Sequence, residues 1–322
     1  MSLTYNNSTV NAVTYNGQTV NKINYNGTEI WSAEEDLGPL CFTANTAGST
    51  ITLNKIGSPA VNFIYVGYWD PNSIIVGGSI VWQEYTAGTA ITLTNAGDKV
   101  YFGAQQGGNY SFSDHLQFSM TGSIAASGDI NSLIDFATYA QTHNVMLYEF
   151  ACYKLFFYCR GLTSAPALPA TTIKKDGYSC MFYACSGLLS VPMLPATSLA
   201  VYCYSEMFSR CTSITSLPQG MLPATTLAEC CYHCMFYSCT SLTSIPELPA
   251  VSFATGCYYY MFGGCTKIKM SLTYDATDYP NAYTFGATPS AWNTQDMFYN
   301  TGGSFTGTPT VQTLYTSNTI IS

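Results

Sequence analysis

The sequence predicts a mixed, mainly β chain: a β-hairpin repeat, then a β-sandwich domain, then a solenoid of stacked units with caps at both ends. Three observations support this prediction. Tyr-Asn units return every ten residues at the start, alternating apolar runs follow, and the second half repeats with a period near 26 residues. Alternation is typical of half-buried strands. A fixed period of roughly 20–50 residues is typical of stacked repeats.

Residues 1–31 contain the short repeat. Its units begin at Tyr5, Tyr15 and Tyr25, and the last two read Tyr-Asn-Gly before a β-branched pattern. Asn-Gly between such residues favours a tight hairpin, because both turn positions need positive φ. So short a segment is hardly stable alone, so we expect it to dock on the next domain, on copies of itself or on a larger assembly.

Residues 32–38 contain three consecutive acidic residues and are predicted to be a linker. Residues 39–128 are predicted to form the β-sandwich, because turn residues separate short alternating apolar runs. The seven runs are Leu40–Phe42, Ile51–Leu53, Val61–Val66, Ile74–Trp82, Ile91–Leu93, Val100–Phe102 and Leu116–Met120. Residues 129–150 are predicted to cap the solenoid with a short helix and a strand.

The long repeat covers residues 151–269. One cysteine marks each unit, at steps of 26, 26, 28 and 26 residues. These row cysteines are Cys159, Cys185, Cys211, Cys239 and Cys265. An apolar residue and a phenylalanine lie four and three positions before each, and Met297-Phe298 with Thr301 forms a degenerate sixth match. Units this short cannot bury a core alone, so they must stack. Residues 270–322 are predicted to form the C-terminal cap.

Each unit is predicted to contain a strand and a helical turn. Cys257, Met261, Phe262 and Cys265 have the spacing of one face of a short helix or helical turn. Residues 242–250 place apolar side chains at intervals of three around two prolines, which favours a short, interrupted strand and an extended turn.

Two resemblances follow from these motifs. The pattern Cys-x-x-Leu-x-x-x-Pro-x-Leu-Pro with Met-Phe-x-x-Cys resembles the BspA-like leucine-rich repeats, whose units carry Ala-Phe-x-x-Cys-x-x-Leu. Met replaces their Ala here, and the period is longer than is usual for that family. The resemblance implies a leucine-rich-repeat solenoid that acts as an adhesin or binding surface and not as an enzyme.

Residues 1–31 resemble the start of phage tail and virion structural proteins, which implies attachment to other virion proteins. Packing of this segment on its own chain is an equally open alternative.

Composition narrows the function classes. Only 9% of residues are charged, the net charge is −8, and 15% are aromatic. With no basic patch to neutralise phosphates, we expect no nucleic-acid partner. The first residues lack the basic and apolar regions of a signal peptide, and no apolar run is long enough to span a membrane. An exported adhesin needs a signal, whereas a virion component does not.

The thirteen cysteines mostly follow the repeat. Cys203, Cys231 and Cys257 form a second row eight positions before the first. Thiols in rows are most simply small buried hydrophobes with a weak donor for the turn between units. The residues that could bind zinc are Cys230, Cys231, His233, Cys234 and Cys239, but they lack two separated ligand pairs. We expect no metal and no cofactor, and disulfides between rows stay an open alternative.

The sequence carries no catalytic motif. His115, His143 and His233 lie in three different segments, without a nucleophile motif beside them. Asp275 and Asp278 have a spacing that occurs in calcium sites, but Asp-x-x-Asp more often belongs to a loop. We therefore predict no catalytic residues and no enzymatic activity.

The tyrosines are the candidate binding residues. Tyr153, Tyr178, Tyr204, Tyr232 and Tyr258 recur beside the helical turn and are predicted to pack between units. Tyr183, Tyr237 and Tyr259 fall out of phase and are the candidate receptor contacts, because a tyrosine ring stacks on sugar faces or apolar surface while its hydroxyl bonds.

Together these features predict a phage virion protein, a tail or head fibre that is a homotrimer and binds a host cell-surface glycan or protein. Residues 1–31 would join it to other virion proteins, and no membrane insertion is expected. A bacterial cell-surface adhesin is the first alternative. A glycan-active enzyme on a β scaffold is the second, and no motif supports it.

Overall fold

The computed structural model describes residues 37–70, 79–142, 144–268 and 289–302, and the backbone of six short strands within residues 4–32. Contacts divide the chain into two compact units, Met1–Gly38 and Pro39–Ser322. The described residues are mainly β, with fifteen strands beside one 3-10 helix and two α-helices of four residues. The mainly-β prediction is therefore confirmed.

The first unit consists of short strand pairs. Its strands are β1 (Thr4–Tyr5), β2 (Ser8–Thr9), β3 (Val13–Tyr15), β4 (Gln18–Val20), β5 (Lys22–Tyr25) and β6 (Thr28–Ser32). They pair in sequence as three antiparallel two-stranded sheets, and the β3–β4 pair ends at Tyr15 opposite Gln18. Two residues separate the strands of each pair, as expected for hairpins. The Asn-Gly positions themselves lie outside the described residues.

The second unit begins with eight strands. They are β7 (Leu40–Ala44), β8 (Ser49–Ile56), β9 (Val61–Asp70), β10 (Ser79–Glu84), β11 (Ile91–Leu93), β12 (Lys99–Gln106), β13 (His115–Thr121) and β14 (Ile124–Ser127). All seven predicted runs coincide with strands over their described residues, and β14 was not predicted. With β15 (Leu162–Ser164), they form a six-stranded sheet in the order β10-β9-β12-β7-β14-β15 and a three-stranded sheet in the order β11-β8-β13.

An aromatic core joins the two sheets. Phe42 on β7 contacts Phe102 on β12 and Phe118 on β13, with ring centroids 5.8 Å and 4.9 Å apart. All three side chains are fully buried. The edge-on geometry of these rings is the arrangement that aromatic pairs prefer. Alternation along β8 buries Ser49, Ile51 and Leu53 in the same way, so the sequence pattern places this core directly.

The β-strand region and the repeat share this core. The Phe118 ring stacks on Phe156 of the first repeat at 5.3 Å, and the Phe118 amide donates to the Leu155 carbonyl at 2.7 Å. Strand β14 also pairs in parallel with β15, which lies inside the repeat. Strand β13 therefore covers the first face of the stack.

Residues 129–150 contain the predicted helix but not the predicted strand. A 3-10 helix spans Ile130–Leu133, and the Asp129 carboxylate caps it by accepting from the Asn131 amide at 2.8 Å. Helix α1 follows at Tyr139–Thr142. Instead of a strand, the next segment makes an isolated parallel bridge between Val145 and Thr172, so the strand prediction is wrong.

The repeat units contain runs of turns in place of the predicted helical turn. Along each run, every second amide donates to a carbonyl of its own run, and the amides between them donate to carbonyls of the next unit. The Met181 amide donates to Tyr178 three positions earlier at 3.2 Å, whereas the Phe182 amide donates to Met207 of the next unit at 2.9 Å. In a helix, both amides would instead donate to carbonyls of the same helix, along its axis. Here half of the amides hold neighbouring units together.

Positive φ at every fourth residue produces these turns. The position lies one, five and nine residues before each row cysteine, and most residues there are not glycine. They are Phe150, Lys154, Tyr158, Asp176, Cys180, Ala184, Tyr202, Glu206, Arg210, Cys230, Cys234, Ser238 and Tyr260, with Gly256 and Gly264. Because a left-handed residue reverses the chain, a period of four gives a continuous series of turns.

Two rows of thiols follow the stack. In the first row, Cys185, Cys211, Cys239 and Cys265 donate to the phenylalanine carbonyl of the preceding unit at 3.0–3.1 Å, and Cys159 donates to Phe118 at 3.3 Å. The second row is buried as well. The prediction of small buried side chains is confirmed for both rows, and donation to the turn of the preceding unit is confirmed for the first row. All thirteen cysteines are free thiols in the structure.

The sixth unit is present. Helix α2 (Ala291–Thr294) leads into it, and the Phe262 amide donates to the Met297 carbonyl at 2.9 Å. The Phe298 ring continues the phenylalanine ladder at 5.5 Å from Phe262. Thr301 stands in the cysteine position, but its hydroxyl donates to Phe298 within its own unit. The remainder of the predicted C-terminal cap, with Asp275 and Asp278, lies outside the described residues.

Proline-rich connections complete each unit. The Leu-Pro segments carry isolated parallel bridges, Thr172–Ser198 and Thr226–Ser252, and their leucines are buried. Apart from β15, these described segments contain no strand. Each predicted interrupted strand is at most a single isolated bridge between neighbouring units. Proline lacks the amide that a continuous ladder requires.

Candidate binding face

On one side of the stacked repeat units, the runs of turns carry aromatic side chains. We call this surface the aromatic face and define it by Phe157, Tyr158, Tyr183, Tyr237, Tyr259, Tyr260 and Tyr299. They lie at the left-handed positions and their neighbours, whose side chains point away from the phenylalanine ladder. Tyr158 and Tyr299 are 46% and 55% exposed, and the other five are half-buried. The face is therefore apolar in its body and accessible to a ligand.

The first cluster of the aromatic face lies at its N-terminal end. The Tyr183 ring stacks on Phe157 at 5.0 Å with an interplanar angle of 21° and meets Tyr158 edge-on at 5.7 Å. The Arg210 guanidinium lies 5.8 Å from the Tyr183 ring, and the Lys154 ammonium lies 4.8 Å from the Phe157 ring. Cations over ring faces are electrostatically favourable and hold the rings in place.

The second cluster lies at the C-terminal end. Tyr260 is its centre, with ring centroids 6.1 Å from Tyr237, 4.7 Å from Tyr259 and 5.6 Å from Tyr299. Tyr259 also stacks on the His233 ring at 5.2 Å and 3°. The two stacked rings belong to neighbouring units, so this part of the face is built by the repeat itself.

The three predicted contact residues fall in these clusters. Tyr183 belongs to the first, and Tyr260 brings Tyr237 and Tyr259 together in the second. Sequence reasoning did not predict Phe157, Tyr158, Tyr260 and Tyr299 as members of the same surface. The signal for Phe157 and Tyr299 was their distance from the cysteine position, since both lie two residues before it, as Tyr183 and Tyr237 do. Tyr158 and Tyr260 occupy the adjacent left-handed positions.

The in-phase tyrosines pack inside the stack, with one exception. Tyr178, Tyr204, Tyr232 and Tyr258 form a buried ladder with ring centroids 5.8–5.9 Å apart. The prediction is confirmed for these four. Tyr153 is buried one position out of register and packs on Phe112, Phe150 and His115 instead.

A partly buried carboxylate lies between the two clusters. Burial raises the pKa of Glu206, while nearby Lys154 and Arg210 lower it. Cys180 and Cys234 occupy the equivalent positions of the units on either side, and burial raises the pKa of each thiol to about 12. The thiols therefore stay protonated near neutral pH, and a thiolate nucleophile is not available there.

The cysteines and the histidine that the sequence offers as a zinc alternative have separate surroundings. Cys231 and Cys239 are buried in the two rows, while Cys230 bonds with the Tyr202 hydroxyl and His233 stacks on Tyr259. Among the fully described residues, no three His, Cys, Asp or Glu side chains lie close enough to hold a metal ion. His143 lies outside those residues. Burial lowers the pKa of His115 and His233, so both rings are neutral near pH 7.

The aromatic face combines ring surfaces with flanking cations. Stacked rings with flanking cations suit apolar faces of sugars or protein side chains. None of the helices in the described part of the chain is both long and apolar enough to cross a bilayer. The chain matches no family model, no curated protein and no solved structure.

Proposed function

We propose that this chain is a phage virion structural protein, a tail or head fibre that binds the host surface through its repeat domain. The aromatic face carries this proposal. It combines seven surface rings with the Lys154 and Arg210 cations on a rigid stack. Such a surface buries apolar area at little entropic cost, because its rings are already held by their neighbours.

We further propose that residues 151–269 form a BspA-like leucine-rich-repeat solenoid. The support is the ladder of phenylalanine rings at 5.2–5.5 Å and nearly parallel planes, together with amide bonds from each unit to the next. Each unit contacts its neighbours along one axis, as in a solenoid. The two sheets that share the Phe42 and Phe118 core similarly support a β-sandwich for residues 39–128.

The short strand pairs of residues 1–31 support an attachment role. In the described part of this unit, each strand pairs only with its hairpin partner. The other edge of each of these strands has no strand partner among the described residues, and such an edge is the usual template for pairing with further strands. A trimer joined through these edges, or a joint with other virion proteins, would satisfy them.

Binding of the purified chain to bacterial cells tests the role of the aromatic face. We expect Tyr183→Ser and Tyr237→Ser to weaken cell binding. Leu189→Ser and Val251→Ser are matched controls, since these side chains are 62% and 56% exposed and lie outside the face. Equal binding by all four variants and the wild type would contradict the proposal.

Mass spectrometry of purified phage particles tests the virion assignment separately. We expect the chain among the particle proteins at a level fitting a fibre. Finding it in the bacterial envelope and not in particles would instead assign it as a cell-surface adhesin, and the aromatic face would then serve adhesion.

A further inference from the structure

A groove lies apart from the repeat, at the sheet edge where strand β9 ends and strand β12 begins. Its volume is about 660 Å³, and its lining includes Tyr68, Trp69, Thr92, Asp98, Lys99 and Tyr101. This volume is within the range of about 300–1,000 Å³ that small-ligand sites occupy. Trp69 is 50% exposed and Tyr68 is 38% exposed, so both rings are accessible from solvent.

Two of the three aromatic rings of the groove, those of Tyr101 and Tyr68, form hydrogen bonds at their tips. The Tyr101 hydroxyl bonds with the Cys41 side chain, and the Tyr68 hydroxyl bonds with the Gln83 side chain. Tyr101 lies opposite Gly67 in the sheet, two residues before Trp69. A ligand would therefore meet two tyrosine rings that need little reorganisation beside the exposed Trp69 indole, which lowers the entropic cost of binding.

The charges of the groove favour a neutral, polar ligand. Of the described residues that line it, only Asp98 and Lys99 are charged, and they carry opposite signs. The Asp98 carboxylate is positioned by the Asn95 amide, which donates to one of its oxygens at 2.8 Å. Together the two side chains offer a strong acceptor and a strong donor without net charge.

The apolar surface continues from the groove across the sheet. Ile80 pairs with Trp69, and Trp82 pairs with Gly67. A Cβ added at Gly67 would contact Ile80 and lie 3.0 Å from the Trp82 ring, so both side chains cover this glycine. Beyond Trp82, Phe136 follows at 4.6 Å. The surface is thus longer than the groove, which suits a linear polymer better than a single small molecule.

We propose that this groove binds a neutral polysaccharide, with one sugar ring stacked on the Trp69 indole and its hydroxyls bonded to Asp98 and Lys99. Pyranose rings present apolar C–H faces to an aromatic ring and hydroxyls at their edges. The groove has the complementary groups: the exposed Trp69 indole for the C–H face, and the Asp98 carboxylate and Lys99 ammonium for the hydroxyls. This site is independent of the aromatic face and does not rest on its role.

Calorimetric titration of the full chain with maltohexaose, cellohexaose, xylohexaose and mannohexaose tests the proposal. We expect at least one of them to bind with a millimolar or lower dissociation constant. Trp69→Ala should weaken that affinity about tenfold or more, since it removes the stacking surface. Trp69→Phe should keep most of the affinity, which separates loss of stacking from misfolding. Asp98→Asn should weaken it severalfold.

Two controls make the outcome decisive. Trp292→Ala changes an indole that is 75% exposed and lies outside the groove, so it should leave binding unchanged. Tyr183→Ser tests the aromatic face in the same titration. The proposal is overturned if none of the four hexasaccharides binds, or if Trp69→Ala binds as tightly as the wild type. It is also overturned if only Tyr183→Ser weakens binding, because the sugar site would then lie on the aromatic face.

Discussion

The thiol of Cys211 donates a hydrogen bond to the main-chain carbonyl of Phe182, 3.0 Å away in the preceding unit. That carbonyl also accepts the Cys185 amide of its own turn at 3.1 Å. One oxygen therefore receives a bond from each of two units. A cysteine suits this position because it is small, apolar and still a donor.

Replacing Cys211 should destabilise the stack. Cys211→Ala removes one bond and leaves a small cavity at a fully buried site, so we expect the free energy of unfolding to fall by about 1–2 kcal/mol. Urea denaturation measures this change. Cys230→Ala is the control, because Cys230 is half-buried at the surface of the stack. A loss at Cys230 equal to that at Cys211 would show that the shared carbonyl is unimportant.

The left-handed positions give a second prediction. Ser238 has φ +57°, and Gly264 occupies the equivalent position in the next unit with φ +73°. A side chain at such a φ costs roughly 1–2 kcal/mol, of which the greater flexibility of unfolded glycine offsets a part. We expect Ser238→Gly to raise the free energy of unfolding by about 0.5–1 kcal/mol.

Gly264→Ala is the reciprocal variant. Its new Cβ would lie 2.9 Å from the Ser238 hydroxyl and would take the unfavourable φ, so we expect a loss of about 1 kcal/mol or more. Thermal or urea unfolding of the two variants together measures both signs. A loss in both would mean that contacts of the Ser238 side chain outweigh its backbone strain.

These positions also show why the helical prediction failed. Cys257, Met261 and Cys265 repeat every four residues, with Phe262 next to Met261, and both a helix and a run of turns with that period bury such residues on one side. The turn is set by left-handed residues such as Lys154, Glu206 and Tyr260, which share no residue type. Glycine occupies only Gly256 and Gly264 among these positions of the five row-cysteine units and asparagine none, so the sequence carried little turn signal. The period and its buried residues were predictable, whereas the backbone conformation was not.

The pH dependence of stability tests the buried carboxyl of Asp176. Burial raises the pKa of Asp176 to about 6, and its Oδ2 has no hydrogen-bond partner among the described residues. A folded-state pKa above that of the unfolded chain means that protonation stabilises the fold. This contribution is present below about pH 4 and is lost as the pH rises through about 6.

Asp176→Asn should remove that dependence. We expect the variant to be more stable than the wild type by on the order of 1 kcal/mol at about pH 8, with a smaller difference at about pH 4. Asparagine tolerates the left-handed φ of +52° at this site. Unfolding curves at both pH values measure the effect. An unchanged difference between them would show that Asp176 does not titrate with folding.

Thiol accessibility gives a fourth prediction. At about pH 8, iodoacetamide should modify half-buried Cys230 first and leave the five row cysteines unmodified until the chain unfolds, because alkylation requires an accessible thiolate. Burial raises the pKa of Cys159 to about 12, and the other row cysteines are equally buried. Peptide mass spectrometry measures the order. Native modification of Cys211 as fast as Cys230 would contradict the structure.

The aromatic face was predictable only in part. Tyr183, Tyr237 and Tyr259 stood out because they broke the phase of the buried tyrosine ladder. The clusters depend on contacts between units, such as Tyr260 with Tyr299 at 5.6 Å, which joins residues on either side of the long gap before the sixth unit. A repeat pattern predicts contacts only while its spacing is regular. The long gap after Cys265 breaks that spacing, so the contact of Tyr299 with the fifth unit could not be predicted.

Removing residues 1–31 tests their role in assembly. Each strand of these hairpins has one edge without a partner in the described part of its own unit, so strands of other copies can pair there. We expect light scattering to give three times the chain mass of 34.9 kDa for the full chain and a single chain mass after truncation. A trimer that survives truncation would place the oligomer contacts in residues 32–322. A monomer in both forms would make the hairpins a joint to a different virion protein, because their edges would still need a partner.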